Sequence, residues 1–162
     1  MPVRVITNYL HIMRTVIQRV TSCNLKIGGQ EFSSIGYGLL VLLSFEEADT
    51  SEDREWLCGK ITGLRIFDDS QGSMDLDIRD IGGDIMVVSQ FTLHASTRKG
   101  NRPSYSKAAR PDFAKPAYDA FIDSLEVSLG RKVATGQFGA HMEITLVNDG
   151  PVTIFIDSKN RE

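Results

Sequence analysis

The stretch Asn148-Asp149-Gly150-Pro151-Val152-Thr153 lies between two segments that alternate like β-strands. Before and after it, apolar side chains stand at every second position. Glycine opens backbone angles that are closed to other residues, whereas proline fixes φ, removes a donor and makes a cis peptide accessible. The stretch leaves two interpretations open. It is either a tight turn between the last two strands, or a rigid backbone wedge that presents main-chain carbonyls to a ligand.

The rest of the chain alternates between strand-like and helix-like segments. The apolar run from Gly38 to Phe45 predicts a central strand covered on both faces, and Asp84 to Phe91 predicts a second buried strand. Helical spacing begins after Ser51 and again at Pro111, and Gly130 ends the second helix. The order strands, helix, strands, helix, strands indicates a mixed α/β or α+β single domain.

The composition is typical of a soluble globular protein. The chain has 162 residues, of which 41% are hydrophobic and 24% charged, and its net charge is −3. The longest apolar run, Leu39 to Leu43, is too short to cross a membrane, and residues 1–12 lack the apolar core of a secretory signal. Cys23 and Cys58 have no partner spacing, so we interpret them as reduced thiols. We predict a cytoplasmic protein, with an N-terminal appendage at 1–12 and a domain at 13–162.

The sequence contains none of the common metal or cofactor motifs. His11, His94 and His141 share no short spacing with one another or with the cysteines. There is no Walker loop, no dinucleotide fingerprint and no Gly-x-Ser-x-Gly elbow. We therefore expect neither a metal nor a cofactor.

Two polar stretches remain as candidates for chemistry. Ser89-Gln90-Phe91-Thr92-Leu93 places hydroxyls and an amide at the end of a buried strand, where ligands often bind in α/β sheets. Alternatively, these side chains only satisfy backbone groups. The segment from Ser96 to Lys115 carries six basic residues, including Lys99 and Arg102, against one acid. It suits either phosphate binding or a solvated basic surface.

Five blocks, in order along the chain, resemble the signature blocks of the D-aminoacyl-tRNA deacylase family. They are Met13–Val20, Ser89–Leu93, Lys99–Ser104, Thr135–Ala140 and Asn148–Thr153. The resemblance implies an α/β, three-layer β/β/α domain with mixed sheets and two main helices. It also implies a homodimer that hydrolyses the ester joining a D-amino acid to the 3′ end of tRNA, which is chiral proofreading in translation.

The resemblance also implies roles for single residues. The Gly150-Pro151 peptide would be cis and would enter the partner subunit's pocket, where its carbonyls orient the amino acid and exclude an L side chain. Such a filter would also admit glycine, including glycyl-tRNA(Ala). Arg19 would hold the Gly-Pro segment in place. The other implied site residues are Ser89, Gln90, Phe91 and Thr92 around the adenosine and the ester, Asn148 and Thr153 beside the wedge, and Lys99 and Arg102 on the tRNA.

The catalytic group stays open in the sequence. Thr92 is a possible nucleophile, but the motif contains no base to activate it. We favour backbone N–H groups near Phe91 and Thr92 as an oxyanion hole, with an attacking water and help from the tRNA 2′-hydroxyl. Ser96, His94 and His141 depart from the residue types common in the family. The rival hypotheses are a DNA- or RNA-binding accessory protein with this fold and a dimeric scaffold without chemistry.

Overall fold

The computed structural model describes residues 13–47 and 49–162, so the predicted appendage at residues 1–12 lies outside the described part of the chain. A short 3₁₀ turn, Phe91–His94, separates the sixth strand from the second helix. The elements, in chain order, are β1 (Arg14–Ile27), β2 (Gln30–Ile35), β3 (Gly38–Ser44), α1 (Ser51–Gly63), β4 (Phe67–Asp68), β5 (Met74–Leu76), β6 (Asp84–Ser89), α2 (Pro111–Leu129), β7 (Ala134–Thr135) and β8 (Glu143–Asp157).

Most strands belong to one mixed sheet. Its order is β2-β1-β3-β6-β7, and β8 pairs with the other side of β1. The β3–β6 and β6–β7 pairs are parallel, whereas β1 pairs antiparallel with β2, β3 and β8. The Ser33 hydroxyl donates to the Thr135 carbonyl at 2.8 Å, which brings β2 next to β7. The sheet is therefore nearly closed on itself.

The two faces of the central strands bury different cores, because successive side chains of a strand point to opposite sides. On one face, α1 and α2 cover the sheet. This helix-side core includes Ile17, Leu39, Val41, Leu57, Ile61, Phe121 and Leu125. The other face is covered by the second half of β1, by β2 and by the first half of β8, and its core includes Leu25, Leu40, Met86, Ile144 and Leu146. The predicted α/β class, three-layer β/β/α arrangement and mixed sheet are confirmed.

Local sequence signals explain where the helices begin and end. Thr50 and Asp53 form a reciprocal capping box at the start of α1. Pro111 occupies the first turn of α2, and Gly130 ends that helix in a left-handed conformation. Both predicted helices are therefore confirmed. In the part of the chain that the structure describes, no helix has both the length and the apolarity needed to cross a membrane.

The C-terminal strand differs from the prediction. A tight turn at Gly150-Pro151 between two strands was one of the two interpretations of this stretch, but β8 runs without reversal from Glu143 to Asp157. Both halves pair with the same neighbour, β1, and the register shifts only between Gln18 and Ser22. Pairing on both sides of the Gly-Pro peptide keeps the chain extended, so turn chemistry alone gives the wrong result here. The tight-turn interpretation was therefore wrong.

Candidate active site

A half-open cavity of about 610 Å³ lies at the ends of β3 and β6. Because these strands are parallel, their carboxyl ends share one edge of the sheet, which is a usual ligand position in α/β proteins. Ser44 and Ser89 line the cavity from the strand ends, and Gln90 and Phe91 continue the wall. Residues 138–142, which precede β8, close the opposite side. Three of the four residues predicted for catalysis therefore lie together on one cavity.

The fourth predicted residue, Thr92, is half-buried and is not one of the residues that line this cavity. The Gln90 side-chain amide donates to the Thr92 hydroxyl at 2.5 Å, and the Gln90 backbone N–H donates to the Leu43 carbonyl at 2.7 Å. The Phe91 side chain is 56% exposed and packs edge-on against Tyr105, with ring centroids 5.1 Å apart. The turn therefore presents an amide and an aromatic face to the cavity, while the threonine hydroxyl is engaged within the turn.

Two buried polar residues under the turn were not predicted as site residues. Ser44 and His94 are 2% and 1% exposed. The Ser44 hydroxyl oxygen lies 2.5 Å from His94 Nδ1, and the hydroxyl donates to the Phe91 carbonyl at 3.3 Å. Ser44 carries no motif signal, and the only sequence signal at His94 is its departure from the residue types common in the family.

The Gly150-Pro151 peptide is cis, as the resemblance implies. Both residues are exposed, and Gly150 has φ of +125°. A Cβ at Gly150 would lie 2.9 Å from the Val152 backbone nitrogen, so only glycine fits this conformation. Asn148 and Thr153 flank the peptide on the same exposed strand edge and pair with Val20 and Gln18 of β1.

Arg19 holds this segment from inside the molecule. Its side chain is 8% exposed, and its Nε lies 3.1 Å from both the carbonyl and the carboxylate of Asp149. Its Nη1 donates to the Ile66 carbonyl at 2.7 Å. Burial raises the pKa of the neighbouring Tyr37 hydroxyl, as does its hydrogen bond to the Asp149 carboxylate, so Tyr37 remains a neutral donor. The backbone that precedes the Gly-Pro peptide is therefore fixed by a buried charge.

The cavity and the Gly-Pro peptide do not meet within one chain. Gly150 lies level with Arg19, which pairs with Leu39, whereas the cavity begins at Leu43. Four residues along a strand span about 13 Å. β8 itself reaches the cavity only at Ile144, six residues before Gly150, and six residues of a strand span about 20 Å. The structure therefore brings together Ser89, Gln90 and Phe91, and it separates them from Gly150 and Pro151.

The predicted basic segment forms a loop beside the cavity. Ser96 and Ser104 exchange backbone hydrogen bonds of 2.7 and 2.9 Å, which close the loop that carries the exposed Lys99 and Arg102. Tyr105 directly follows and lines the cavity. Elsewhere in this basic segment, Lys115 pairs with Asp119 on α2, at 2.6 Å. Among the residues that the structure describes, no group of three or more His, Cys, Asp or Glu side chains could hold a metal ion.

The fold and the site together define an α/β pocket protein with a basic loop at the pocket's rim. The family model described as D-Tyr-tRNA(Tyr) deacylase matches residues 16–157, and the chain belongs to this family. The chain is 61% identical to a D-aminoacyl-tRNA deacylase of Parabacteroides distasonis and 58% identical to one of Flavobacterium johnsoniae. Each match covers 93% of this chain and 100% of the relative. The predicted family is confirmed.

Solved structures agree with this placement. The c-Myc DNA Unwinding Element Binding Protein is similar with a TM-score of 0.84 and 36% identity, over 88% of this chain and 97% of that protein. A probable eukaryotic D-amino acid tRNA deacylase has a TM-score of 0.79 at 18% identity, over 90% of this chain and 99% of that one, and shares the fold.

Proposed function

We propose that the protein hydrolyses the ester bond of D-aminoacyl-tRNA and releases a free D-amino acid and tRNA. The observation that carries this proposal is the cavity at Ser89, Gln90 and Phe91 in a chain of the deacylase family. A half-open cavity of about 610 Å³ is of the size that holds an organic ligand. The substrate is therefore the aminoacylated 3′ end of tRNA.

Backbone groups, rather than a side-chain nucleophile, carry the reaction in this proposal. The Thr92 hydroxyl accepts a hydrogen bond from the Gln90 amide, an arrangement that does not remove its proton. Backbone N–H groups near Phe91 and Thr92 stabilise the oxyanion that forms when water attacks the ester. The tRNA 2′-hydroxyl assists, and Ser89 and Gln90 position the adenosine and the ester.

The basic loop supplies the contact with the rest of the tRNA. Lys99 and Arg102 project from a closed loop directly beside Tyr105 and the cavity. Exposed cations at this position bind phosphates next to the reacting end, with an affinity that falls as salt rises. Because the substrate takes part in translation, the proposal includes a cytoplasmic location. Residues 13–162 form the catalytic unit, in keeping with whole relatives that match over 150 residues, and residues 1–12 are an appendage.

The complete site forms between two copies of the chain. A row of apolar residues, Val88, Leu42, Val16 and Phe155, crosses four adjacent strands from the cavity to β8. Phe155, at the open end of this row, is 58% exposed. Exposed apolar surface of this kind marks a contact with another protein. A second copy that covers the exposed end of the row, at Phe155, by a two-fold axis brings its Gly150-Pro151 peptide to this chain's cavity.

The Gly-Pro peptide acts as the chiral filter in this arrangement. Its carbonyls, with Asn148 and Thr153 beside them, orient the amino acid and leave no space for an L side chain. Arg19 keeps the peptide in its orientation through Asp149. Because the filter works by exclusion, glycyl-tRNA(Ala) also enters.

The decisive assay compares D-Tyr-tRNA with L-Tyr-tRNA as substrates of the purified protein. We expect cleavage of the D ester and retention of the L ester. Cleavage of neither ester, or of both at equal rates, would remove the proposal. The same assay on a chain that begins at Met13 tests the appendage, and we expect unchanged activity.

Subunit complementation tests the shared site. Gln90→Ala disables the cavity and Gly150→Ala disables the peptide. In a mixed dimer, one site combines both defects and the other combines neither, so equal mixing with random pairing restores about a quarter of wild-type activity. If both elements of a site came from one chain, mixing would restore nothing.

DNA binding is a second candidate, because a solved relative at 36% identity is named a DNA unwinding element binding protein. The basic loop would serve this function as well as it serves tRNA. Gln90→Ala separates the two functions, since it removes a cavity residue and leaves Lys99 and Arg102 intact. Wild-type protein that binds duplex DNA at physiological salt but cleaves no aminoacyl-tRNA would favour the DNA function.

A further inference from the structure

A buried pair of polar residues lies directly under the catalytic turn. Ser44 is the last residue of β3, and His94 is the last residue of the 3₁₀ turn. The two meet at 2.5 Å, between Ser44 Oγ and His94 Nδ1. Both residues are buried, although Ser44 also lines the cavity, so a hydrogen bond between them is sheltered from competing water.

The Ser44 hydroxyl has a second contact, which reaches the catalytic turn itself. It donates to the Phe91 carbonyl at 3.3 Å. A hydroxyl has one proton and two acceptor lone pairs, so with its proton on Phe91 it accepts a hydrogen bond from His94 Nδ1 when that nitrogen carries a proton. The His94 ring is held from its other side, where Nε2 lies 3.5 Å from the Glu46 carboxylate. The histidine therefore stops the serine hydroxyl from rotating away from Phe91.

The contact with Phe91 fixes more than one carbonyl. In a trans peptide, the carbonyl of one residue and the N–H of the next lie in one plane and point in opposite directions. A Phe91 carbonyl held toward Ser44 therefore turns the Thr92 N–H away from Ser44. That N–H is one of the oxyanion donors in the proposed function, on which this inference rests.

We propose that Ser44 and His94 form a positioning pair for catalysis, which sets the direction of the Thr92 N–H through the Phe91 carbonyl. His94 lies outside the cavity lining, and Ser44, which is 2% exposed, acts through the Phe91 carbonyl rather than on the reacting atoms. Their effect falls on stabilisation of the transition state and hence on kcat, because an oxyanion donor binds the charge that develops during the reaction. Binding of the tRNA, and hence KM, stays nearly unchanged.

The test measures kcat and KM for D-Tyr-tRNA in single variants at each position. Ser44→Ala and His94→Leu lower kcat about tenfold and change KM by less than about twofold, which is the size expected for a misaligned hydrogen bond. Ser44→Thr keeps the hydroxyl, and His94→Asn places an amide where Nδ1 lies, so both recover most of kcat. The double variant is no slower than the slower single variant, because the two residues act as a unit.

Thr62→Val is the matched control. Thr62 is 1% exposed, and its hydroxyl donates to the Cys58 carbonyl at 3.0 Å within α1. This variant also loses a buried hydroxyl-to-carbonyl bond, and we expect a lower melting temperature with wild-type kcat.

The outcomes separate the inference from the proposed function. Wild-type protein that cleaves no D-Tyr-tRNA overturns both. If the wild-type protein is active and Ser44→Ala keeps the full kcat, or only raises KM, the positioning role alone is overturned. The positioning role is also overturned if His94→Asn lowers kcat as much as His94→Leu does. If Ser44→Ala does not fold, the comparison of the two His94 variants decides the question alone.

Discussion

The Gly150-Pro151 peptide and the turn that follows β6 are both irregular backbone beside regular strands, but they face their surroundings differently. The peptide is exposed on the edge strand β8 and is fixed from behind by the buried Arg19. The turn forms the wall of a half-open cavity and is supported by the buried Ser44. The Gly-Pro peptide is exposed to its surroundings and the turn lines a cavity, and the two lie far apart within one chain. This difference is what a site shared between two copies requires.

Gly150→Ala should produce the largest effect on this comparison. The new Cβ would meet the Val152 nitrogen and side chain at 2.9 Å, at φ of +125°, so the peptide must leave its present position. We expect deacylation of D-Tyr-tRNA to fall by about a hundredfold, or D/L discrimination to disappear, because the proposed filter depends on the placement of this peptide. Rates on both esters provide the measurement.

Gly72→Ala controls for backbone strain alone. Gly72 has φ of +77°, and no atom lies within 4 Å of the place where its Cβ would stand. We expect Gly72→Ala to lose about 1 kcal/mol of stability and to keep full activity. It introduces the same kind of backbone strain as Gly150→Ala, but at a position away from the Gly-Pro peptide. Wild-type rates and selectivity in Gly150→Ala would contradict the wedge.

Arg19→Lys should have the next largest effect. The guanidinium donates to the Asp149 carbonyl and the Ile66 carbonyl and pairs with the Asp149 carboxylate. A single ammonium cannot reproduce this planar geometry. We expect activity to fall roughly tenfold to thirtyfold, together with about 2 kcal/mol of stability, because a buried polar network is left incomplete. Chemical denaturation and single-turnover rates check the two effects.

The control for Arg19 is an exposed arginine that pairs with aspartate. Arg65 bonds to Asp75, and the two side chains are 63% and 54% exposed. Arg65→Lys should change stability by less than about 0.5 kcal/mol, because exposed ion pairs contribute little. If Arg19→Lys matched this control, the buried arginine would not hold the peptide.

The sequence predicts well those parts of the molecule that depend on neighbouring residues. The start of α1 near Ser51, the proline at the start of α2 and the apolar run of β3 are local signals, and each appears in the structure where it was expected. The cavity residues Ser89 to Phe91 followed from their place after a buried strand. The roles of the site residues stay predictions.

The parts that were missed depend on pairing between distant segments. Asn148 to Thr153 carries turn chemistry, but β1 pairs with the chain on both sides of it and keeps it extended. Ser44 and His94 stand 50 residues apart and meet only because β3 and β6 end at the same edge of the sheet. Neither result can be obtained from a window of local sequence.

Replacing Lys99 and Arg102 with alanine should have an intermediate effect, confined to binding. We expect KM for D-aminoacyl-tRNA to rise about tenfold at low salt and the salt dependence of binding to weaken by one to two counterions, roughly one for each phosphate that the loop no longer binds. The value of kcat stays the same, because the loop lies beside the cavity and not in its wall. A Lys60→Ala, Lys132→Ala variant has the same net charge and should keep the wild-type KM. An unchanged salt dependence in the loop variant would remove the loop from the binding surface.

Thr92→Ala should have the smallest effect, and for that reason it tests how the cavity works. The hydroxyl accepts from the Gln90 amide, so its loss frees that amide but takes no nucleophile from the cavity wall. We expect kcat to fall less than about fivefold, the cost of one neutral hydrogen bond. A near-total loss with tRNA binding intact, and recovery in Thr92→Ser, would instead identify the hydroxyl as the nucleophile. A small loss here beside a larger one in Ser44→Ala would mean that the direction of a peptide group matters more than the side chain it carries. The enclosing turn and the projecting Gly-Pro peptide would then act alike, each through main-chain groups fixed by a buried polar side chain.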